Sequence, residues 1–243
     1  MLGTFFKIHL KENLKDLRYR HNLKTNNNFD FYYVHPTKTG GTFLANILVN
    51  SSLNIYKDRH ELKMYHIPAN SSVIISIRDP IKRFESSFYS LLHKRKNLQS
   101  KRKTYTERWK KFYSLYPDIN SYVQALKYNK RKTLENSFAL NDHVGRFSNY
   151  SYWLKSSDYI KKLDQSKLSI LRVEFLNDDI ELFFEAQKLM KPSLEKYNRF
   201  SNSYKKVIPI NKSNIDFLRS FLKGEYTIVN TLLELKNLPP YNC

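Results

Sequence analysis

The residues best suited to chemistry in this chain are those of a short segment, residues 35–42, which reads His-Pro-Thr-Lys-Thr-Gly-Gly-Thr and is called the Lys38 loop below. An apolar run precedes it and a helical pattern of apolar residues follows it, so a strand, the loop and a helix are predicted in that order. Glycine accepts positive φ and lets backbone N–H groups approach an anion closely. The N-terminus of a helix attracts negative charge. With the ammonium group of Lys38 added, the loop is predicted to bind a phosphate or sulfate.

An arginine and a serine eight residues apart form a second candidate for anion binding. Residues 72–77 are a short β-branched apolar run, which is typical of a strand buried in a parallel sheet. Arg78 follows that run directly, and Pro80 suits the first turn of the next helix, where its missing N–H needs no partner. Ligands of open α/β sheets bind beyond the carboxyl ends of the strands. We therefore expect the Arg78 guanidinium and the Ser86 hydroxyl to hold a second phosphate there.

Both motifs resemble those of sulfotransferases that use 3′-phosphoadenosine 5′-phosphosulfate (PAPS). In many glycan sulfotransferases the first loop reads His-x-Pro-Lys-Thr-Gly-Gly-Thr, and here Pro36 stands one position earlier than in that pattern. Residues 78–88 match the family motif Arg-Asp-Pro-x-x-Arg-Phe-x-Ser-x-Phe, and weaker similarity extends over residues 30–190. The Lys38 loop is not a Walker A motif, because its lysine precedes the glycines.

The resemblance implies the sulfotransferase form of the P-loop nucleotide-hydrolase-like fold, an α/β fold with a central parallel sheet flanked by helices. It also implies that PAPS is bound and that no metal is needed. Arg78 and Ser86 would hold the 3′-phosphate of PAPS. The 5′-phosphosulfate would be bound by Lys38, Thr39, Gly40, Gly41, Thr42 and Phe43. Lys38 would in addition stabilise charge on the bridging oxygen of the leaving nucleotide, and one preorganised donor of this kind is typically worth about 2.7–4 kcal/mol.

Sulfuryl transfer to a hydroxyl group also needs a base for the proton of the acceptor. Histidine is the commonest choice, and a positioned base contributes on the order of 10²–10⁴ in rate. His60 and His66 lie between the two motifs, where sulfotransferases commonly carry this residue, and His60 fits that pattern better because His66 stands at the entry to the next strand. His143, the acidic Glu61 and a transfer without any base stay open as alternatives. His35, beside the loop, is expected to have a structural role.

Apolar periodicity predicts the elements around these motifs, and the alternation of strands with helices indicates an α/β fold. The predicted strands are residues 29–35, 72–77 and 168–173. The predicted helices are residues 42–50, 80–94, more than one within 105–140, 178–190, 214–222 and 225–235, the last two separated by Gly224. Residues 1–28 are a basic segment with helical apolar spacing, and residues 29–243 are predicted to fold as a single domain.

Some side chains suit either function or packing. Arg83 is suited to a nucleotide contact or to a surface ion pair. Phe147, Tyr150, Tyr152 and Trp153 are suited to stacking on a sugar or to the core, and we expect at least half of them to be core.

The chain carries 42 basic and 22 acidic residues, which gives a formal net charge of +20. Part of this charge suits a doubly phosphorylated nucleotide, but the basic runs at residues 93–96, 101–103 and 127–132 need another reason. One interpretation is an acidic glycan acceptor drawn by long-range attraction, and the other is a solvated, lysine-rich surface. Nucleic acid is a less favoured partner, because no recognised nucleic-acid motif or repeat accompanies the basic runs.

The favoured function is therefore transfer of a sulfuryl group from PAPS to an acceptor hydroxyl, with a glycan preferred over a lipid or small molecule. The alternatives are a nucleotide or nucleoside-phosphate kinase on a related scaffold, a non-catalytic basic protein that binds polyanions, and a sulfotransferase-like chain without turnover. The single cysteine, Cys243, excludes an intrachain disulfide. No apolar run approaches the roughly 18 residues of a membrane span and no signal peptide is recognisable, so we expect a cytoplasmic protein.

Overall fold

The computed structural model describes residue 23 and residues 29–57, 60–97, 110–138, 149–190, 192 and 207–242. Side chains are described for all of these except residues 91–97 and 138. Apart from Leu23, the predicted basic segment at residues 1–28 lies outside the described residues. The same holds for His143, Phe147 and the basic run at residues 101–103.

Within the described residues, four short strands form one sheet in which every pair of neighbours runs parallel. They are β1 (Phe31–Val34), β2 (Ile55–Lys57), β3 (Ser72–Ile77) and β4 (Leu168–Arg172), in the spatial order β2-β1-β3-β4. β2 was not predicted, because three residues are too few to show a strand pattern. Its place is set by pairing with β1, where Tyr32 lies opposite Tyr56.

The helices connect and cover these strands. They are α1 (Gly41–Val49), α2 (Pro80–Asn97), α3 (Ile119–Tyr128), α4 (Lys130–Phe138), α5 (Ser151–Leu154), α6 (Ser157–Ile160), α7 (Leu176–Ala186), α8 (Lys212–Phe221) and α9 (Lys223–Leu235). Residues 110–115 are also helical. Short 3₁₀ turns are formed by Met64–His66, Gln165–Lys167 and Val173–Phe175. The prediction of an α/β fold with a central parallel sheet flanked by helices is confirmed.

Alternating strand side chains divide the core between the two faces of the sheet. Tyr33 of β1 and Ile74 of β3 pack with apolar residues of α1 and α7 on one face. Tyr32 and Ile75 pack with α5, α6 and α9 on the other face. A third cluster, rich in aromatic rings, joins α2, the helical residues 110–115, α3 and α8. The sheet is therefore buried on both faces, as is usual for parallel strands.

The strand order creates a topological switch point between β1 and β3. The chain leaves β1 and returns as β2 on one side of it, whereas β3 lies on the other side of β1. In open parallel sheets, ligands bind in the crevice at such a point, beyond the carboxyl ends of the strands. The Lys38 loop follows β1 and Arg78 follows β3, so the fold brings both predicted anion-binding motifs to this crevice.

Two predicted boundaries are corrected by local contacts. The third predicted strand ends at Arg172 instead of residue 173, because its partner β3 ends at Ile77, the residue opposite Arg172. The Arg172 backbone N–H donates to Asp179 of α7 at 2.6 Å. Gly224 does not separate the last two helices. It lies in the first turn of α9, and the boundary falls at Leu222, whose N–H donates to Leu218 at the end of α8. None of the described helices is long and apolar enough to cross a membrane.

Candidate functional site

The Lys38 loop is held in place by a chain of buried hydroxyl groups. Thr39 Oγ1 donates to the backbone oxygen of Pro36 at 2.6 Å and lies 2.8 Å from Ser76 Oγ in β3. The Tyr33 hydroxyl donates to the same Ser76 oxygen at 3.1 Å. Because the Thr39 proton is used on Pro36, Ser76 donates to Thr39. The Thr39 side chain is fully buried, so it fixes the shape of the loop from beneath.

The helix that follows the loop begins without a side-chain cap. Gly40 is the N-cap residue of α1 with a φ of 72°, and no acidic residue lies in the first turn. Lys38 also has positive φ, at 68°, a conformation that costs a residue other than glycine on the order of 1–3 kcal/mol. The N-terminus of α1, with the positive end of its dipole, therefore lies directly after Lys38, in an arrangement that suits an anion.

Gly41 is required by a close contact rather than by its φ. A Cβ atom at this position would lie 2.5 Å from Nδ1 of His35. The His35 ring is itself held in place, because it stacks on Tyr33 at a centroid distance of 5.0 Å and meets the His60 ring edge-on at 4.5 Å. Glycine thus allows α1 to begin against the imidazole of His35.

His60 lies at the same end of the sheet as His35, although the two residues are 25 positions apart in the sequence. Its Nδ1 lies 3.1 Å from the backbone oxygen of His35, and its own backbone oxygen accepts a hydrogen bond from Trp153 Nε1 at 2.9 Å. A carbonyl oxygen only accepts, so Nδ1 of the neutral ring carries the proton and Nε2 carries the lone pair. This is the tautomer in which Nε2 can act as a general base.

The other predicted bases are placed differently. His66 is 4% exposed and lies in the turn Met64–His66, with its ring against Tyr65. Glu61 follows His60 directly and is exposed. His143 lies outside the described residues. His60 is thus tied to the Lys38 loop through His35, whereas His66 is buried in its own turn.

Arg78 reaches across the switch point from the carboxyl end of β3. Its Nη1 lies 3.5 Å from the backbone oxygen of Lys38, and its Nε lies 3.8 Å from Oε1 of Glu174, just beyond β4. The Tyr150 hydroxyl accepts from the Arg78 backbone N–H at 2.9 Å and donates to the Arg78 oxygen at 2.8 Å. Burial raises the pKa of Tyr150, so the hydroxyl keeps the proton that this double role needs. The guanidinium group therefore lies between the Lys38 loop and the end of β4.

The N-terminus of α2 differs from that of α1, because a carboxylate already occupies it. Asp79 Oδ1 accepts from the Lys82 N–H at 2.9 Å, and the Tyr226 hydroxyl donates to Oδ2 at 3.1 Å. Ser86 lies in the second turn of α2 and is 7% exposed. The predicted contact of Ser86 with a phosphate stays a prediction, and the N-terminus suited to an anion is that of α1.

Arg83 belongs to the core and not to the surface. Its side chain is 2% exposed, its Nη2 donates to Oε2 of Glu225 at 2.8 Å, and its guanidinium carbon lies 4.2 Å from the centroid of the Tyr150 ring. Glu225 also accepts from the Tyr150 backbone N–H at 3.0 Å. Both uses considered for Arg83, a nucleotide contact and a surface ion pair, are therefore replaced by a buried ion pair.

Two of the four aromatic residues that suited either a sugar or the core belong to the core. Tyr150 and Trp153 are fully buried. Tyr152 is half-buried, and Nζ of Lys63 lies 4.5 Å from the centroid of its ring. Phe147 lies outside the described residues.

Three residues that shape the site were not singled out from the sequence, and a fourth, Tyr150, was considered only for a sugar or the core. The sequence could have indicated Ser76, because this polar residue interrupts an apolar strand; in the structure it faces Thr39. The indication for Glu174 was weaker, since it is only an acidic residue just beyond a strand. No sequence pattern indicated the contact of Tyr150 with Arg78, because the two residues are 72 positions apart. Glu225 lies in a helix whose pattern gives no hint of its buried partner Arg83.

Among the described residues, no group of three or more His, Cys, Asp or Glu side chains could hold a metal ion. Comparison with protein-family models, with curated proteins and with solved structures gives no match to this chain. What the site can bind therefore has to follow from its own residues.

Proposed function

We propose that this chain is a PAPS-dependent sulfotransferase that transfers a sulfuryl group to an acceptor hydroxyl. The observation that carries the proposal is that Arg78 and His60 both contact the segment that follows β1 at the switch point. Arg78 Nη1 lies 3.5 Å from the backbone oxygen of Lys38, and His60 Nδ1 lies 3.1 Å from that of His35. Two cationic side chains and the N-terminus of α1 suit a ligand with two separate anionic groups. A histidine in the tautomer of a base suits transfer to a hydroxyl.

The residues of the Lys38 loop fit the 5′-phosphosulfate of such a donor. The first turn of α1 offers backbone N–H groups next to Lys38 without a competing acidic side chain, and Gly41 keeps that turn free of a Cβ atom. Thr42 is exposed in the same turn and Phe43 is half-buried. Thr39 would contribute by holding the loop, because its hydroxyl is engaged with Pro36.

Arg78 fits the 3′-phosphate, with Ser86 as its proposed partner. The guanidinium group is planar, always charged and able to donate two parallel hydrogen bonds, which makes arginine the preferred residue for phosphate recognition. The order β2-β1-β3-β4, with one motif after β1 and the other after β3, supports assignment of the sheet to the sulfotransferase form of the P-loop nucleotide-hydrolase-like fold.

The residues of the chain divide the chemistry among them. When bound, PAPS supplies the sulfuryl group that the acceptor oxygen receives as the S–O bond to the nucleotide breaks. His60 takes the acceptor proton at Nε2. Lys38 and the N-terminus of α1 stabilise the negative charge that is left on the 5′-phosphate. Arg78 holds the nucleotide in register through its 3′-phosphate, and so positions the donor with respect to His60.

The class of the acceptor rests on the charge of the surface. The basic run at residues 127–132 spans the junction of α3 and α4 and is exposed along its length. Exposed cations at this density attract polyanions over distances of about a Debye length, about 8 Å at physiological salt. An acidic glycan therefore suits this chain better than a neutral acceptor.

Thermal unfolding with 3′,5′-phosphoadenosine phosphate tests the proposal without knowledge of the acceptor. Ligand at 100 times its dissociation constant stabilises a fold by about 2.7 kcal/mol, and at this size each kcal/mol raises Tm by roughly 2–4 °C. We expect this shift with the bisphosphate, a smaller one with AMP, and loss of the difference in Arg78→Ala. Arg131→Ala, which alters an exposed arginine of α4, is the matched control and should keep the full shift.

Other outcomes of the same experiment would identify a different protein. A larger shift with ATP and Mg²⁺ than with the bisphosphate would favour a kinase on this scaffold. No shift with any nucleotide, together with steeply salt-dependent binding of heparin, would favour a non-catalytic polyanion-binding protein. Either result would overturn the sulfotransferase proposal.

A further inference from the structure

Arg78 forms an ion pair on one side with the carboxylate of Glu174, which two hydrogen bonds hold in place. Glu174 Oε1 lies 3.8 Å from Arg78 Nε and accepts from the Asp79 backbone N–H at 3.3 Å. Its other oxygen, Oε2, accepts from the Tyr241 hydroxyl at 2.7 Å. Both oxygens of Glu174 are therefore used, and the orientation of its carboxylate depends in part on a residue near the end of the chain.

Tyr241 is fastened at its backbone as well as at its hydroxyl. Its N–H donates to Oδ1 of Asn230 and its oxygen accepts from Nδ2 of the same side chain, both at 2.9 Å. Asn230 lies in α9, so the segment that carries Tyr241 is fixed to a helix packed on the sheet. A chain of contacts runs from Asn230 through Tyr241 and Glu174 to Arg78.

From this chain of contacts we propose that Tyr241 is a positioning residue for the 3′-phosphate site, acting through Glu174 on Arg78. The proposal rests on the proposed function, because it assigns Arg78 to a phosphate. The Tyr241 hydroxyl has two effects on Arg78, and both favour binding of a phosphate. It fixes the carboxylate that aims the guanidinium towards the Lys38 loop, and it draws negative charge on Glu174 away from Arg78. Loss of the hydroxyl would therefore weaken binding of a phosphate to Arg78 on both counts.

The hydroxyl keeps this role over the whole working range of pH. Burial and the nearby Glu174 carboxylate both raise the pKa of Tyr241, so its proton stays in place to be donated. No titration of this group is expected to switch the site.

Tyr241→Phe removes the hydroxyl and leaves the ring. The test measures, by calorimetric titration, the affinity of the chain for 3′,5′-phosphoadenosine phosphate and for AMP, which lacks the 3′-phosphate. We expect Tyr241→Phe to bind the bisphosphate at least about 5-fold more weakly, a typical coupling between separate sites, and to bind AMP unchanged. Asn230→Ala, which releases the backbone of Tyr241, should act in the same direction.

Tyr89→Phe is the matched control. The Tyr89 hydroxyl makes two hydrogen bonds to the backbone of Ile208, at 2.7 and 3.0 Å, so its loss has a comparable cost in stability at a site away from Arg78. It should leave the preference for the bisphosphate intact. A Tyr241→Phe protein that loses affinity for both nucleotides equally, or for neither, would overturn the inference alone. A wild-type chain that does not distinguish the two nucleotides would overturn the proposed function with it.

Discussion

Gly40 and Gly41 are adjacent in the Lys38 loop, but different forces constrain them. Gly40 has a φ of 72°, which favours glycine. Gly41 has no such φ, and its constraint is the His35 ring, 2.5 Å from where a Cβ would be. Because His35 also contacts His60, the packing at Gly41 links the start of α1 to the proposed base. A substitution at Gly41 would be transmitted to both.

Gly41→Ala should destabilise the fold and displace His35. Overpacking of a closely packed site typically costs about 1–3 kcal/mol, which lowers Tm by roughly 2–4 °C for each kcal/mol at this size. Gly224→Ala is the matched control, because no atom lies within 4 Å of the added Cβ and the residue is in α9. It should raise stability by up to about 1 kcal/mol. Equal Tm changes in the two variants would show that the His35 contact does not constrain Gly41.

His60→Ala should separate chemistry from binding. Loss of a general base lowers the turnover rate by on the order of 10²–10⁴, whereas affinity for the bisphosphate should stay unchanged because His60 is proposed to act on the acceptor. Glu61→Gln alters the exposed neighbour and should keep turnover within a few-fold of wild type. The measurements are steady-state transfer to a genuine acceptor and nucleotide titration. Full turnover in His60→Ala, or loss of turnover in Glu61→Gln, would assign the base elsewhere.

The two helices at the switch point differ at their first turns, and that difference decides where an anion is expected. Asp79 caps α2 with a carboxylate, so the positive end of that dipole is already neutralised. α1 has neither a side-chain cap nor an acidic residue in its first turn. Such a helix forgoes the stability that a carboxylate would supply, which is the expected cost of the proposed anion site.

Thr42→Asp should therefore move stability and binding in opposite directions. The residue is exposed in the first turn of α1, where a carboxylate typically stabilises a helix by about 0.3–1 kcal/mol. The same charge would repel a phosphosulfate from Lys38. We expect an unchanged or higher Tm without ligand, together with markedly weaker binding of the bisphosphate.

The neutral Thr42→Asn is the control for Thr42→Asp, since it has nearly the same shape without the charge. It should bind the bisphosphate close to wild type. If the two variants bound the nucleotide equally well, the N-terminus of α1 would not be in contact with an anionic group of the ligand.

The sequence was informative about elements wherever a local pattern decides the structure. β3 was predicted at its observed bounds, because its β-branched run is continuous. β2 was missed, because its three residues are ordered by pairing with β1 and not by their own pattern. For the candidate site, the motifs pointed to Lys38 and Arg78, whose roles stay predictions. The partners that fix them, such as Tyr150 and Glu174, are distant in sequence, so only the folded topology brings them together.

At the scale of the whole molecule, α9 connects the core to the site. Glu225, in its first turn, pairs with Arg83 of α2 and accepts from the Tyr150 backbone. Tyr150 in turn holds both backbone groups of Arg78 through its hydroxyl. The position of Arg78, the proposed phosphate-binding arginine, therefore depends on a buried ion pair that contacts neither the ligand nor the Lys38 loop.

Removal of one partner of this pair should cost much of the stability of the chain. Arg83→Leu leaves the Glu225 carboxylate buried without its cation, a loss typically worth about 3–5 kcal/mol. The double variant Arg83→Leu/Glu225→Leu should be more stable than the sum of the two single variants predicts, because neither charge is then left alone.

Glu135→Gln, in an exposed pair with Arg131, should change the free energy of unfolding by no more than about 0.5 kcal/mol. Urea unfolding of the wild type, the single variants Arg83→Leu and Glu225→Leu, the double variant and Glu135→Gln measures these differences. An Arg83→Leu variant as stable as Glu135→Gln would mean that the buried pair does not hold α9 to α2.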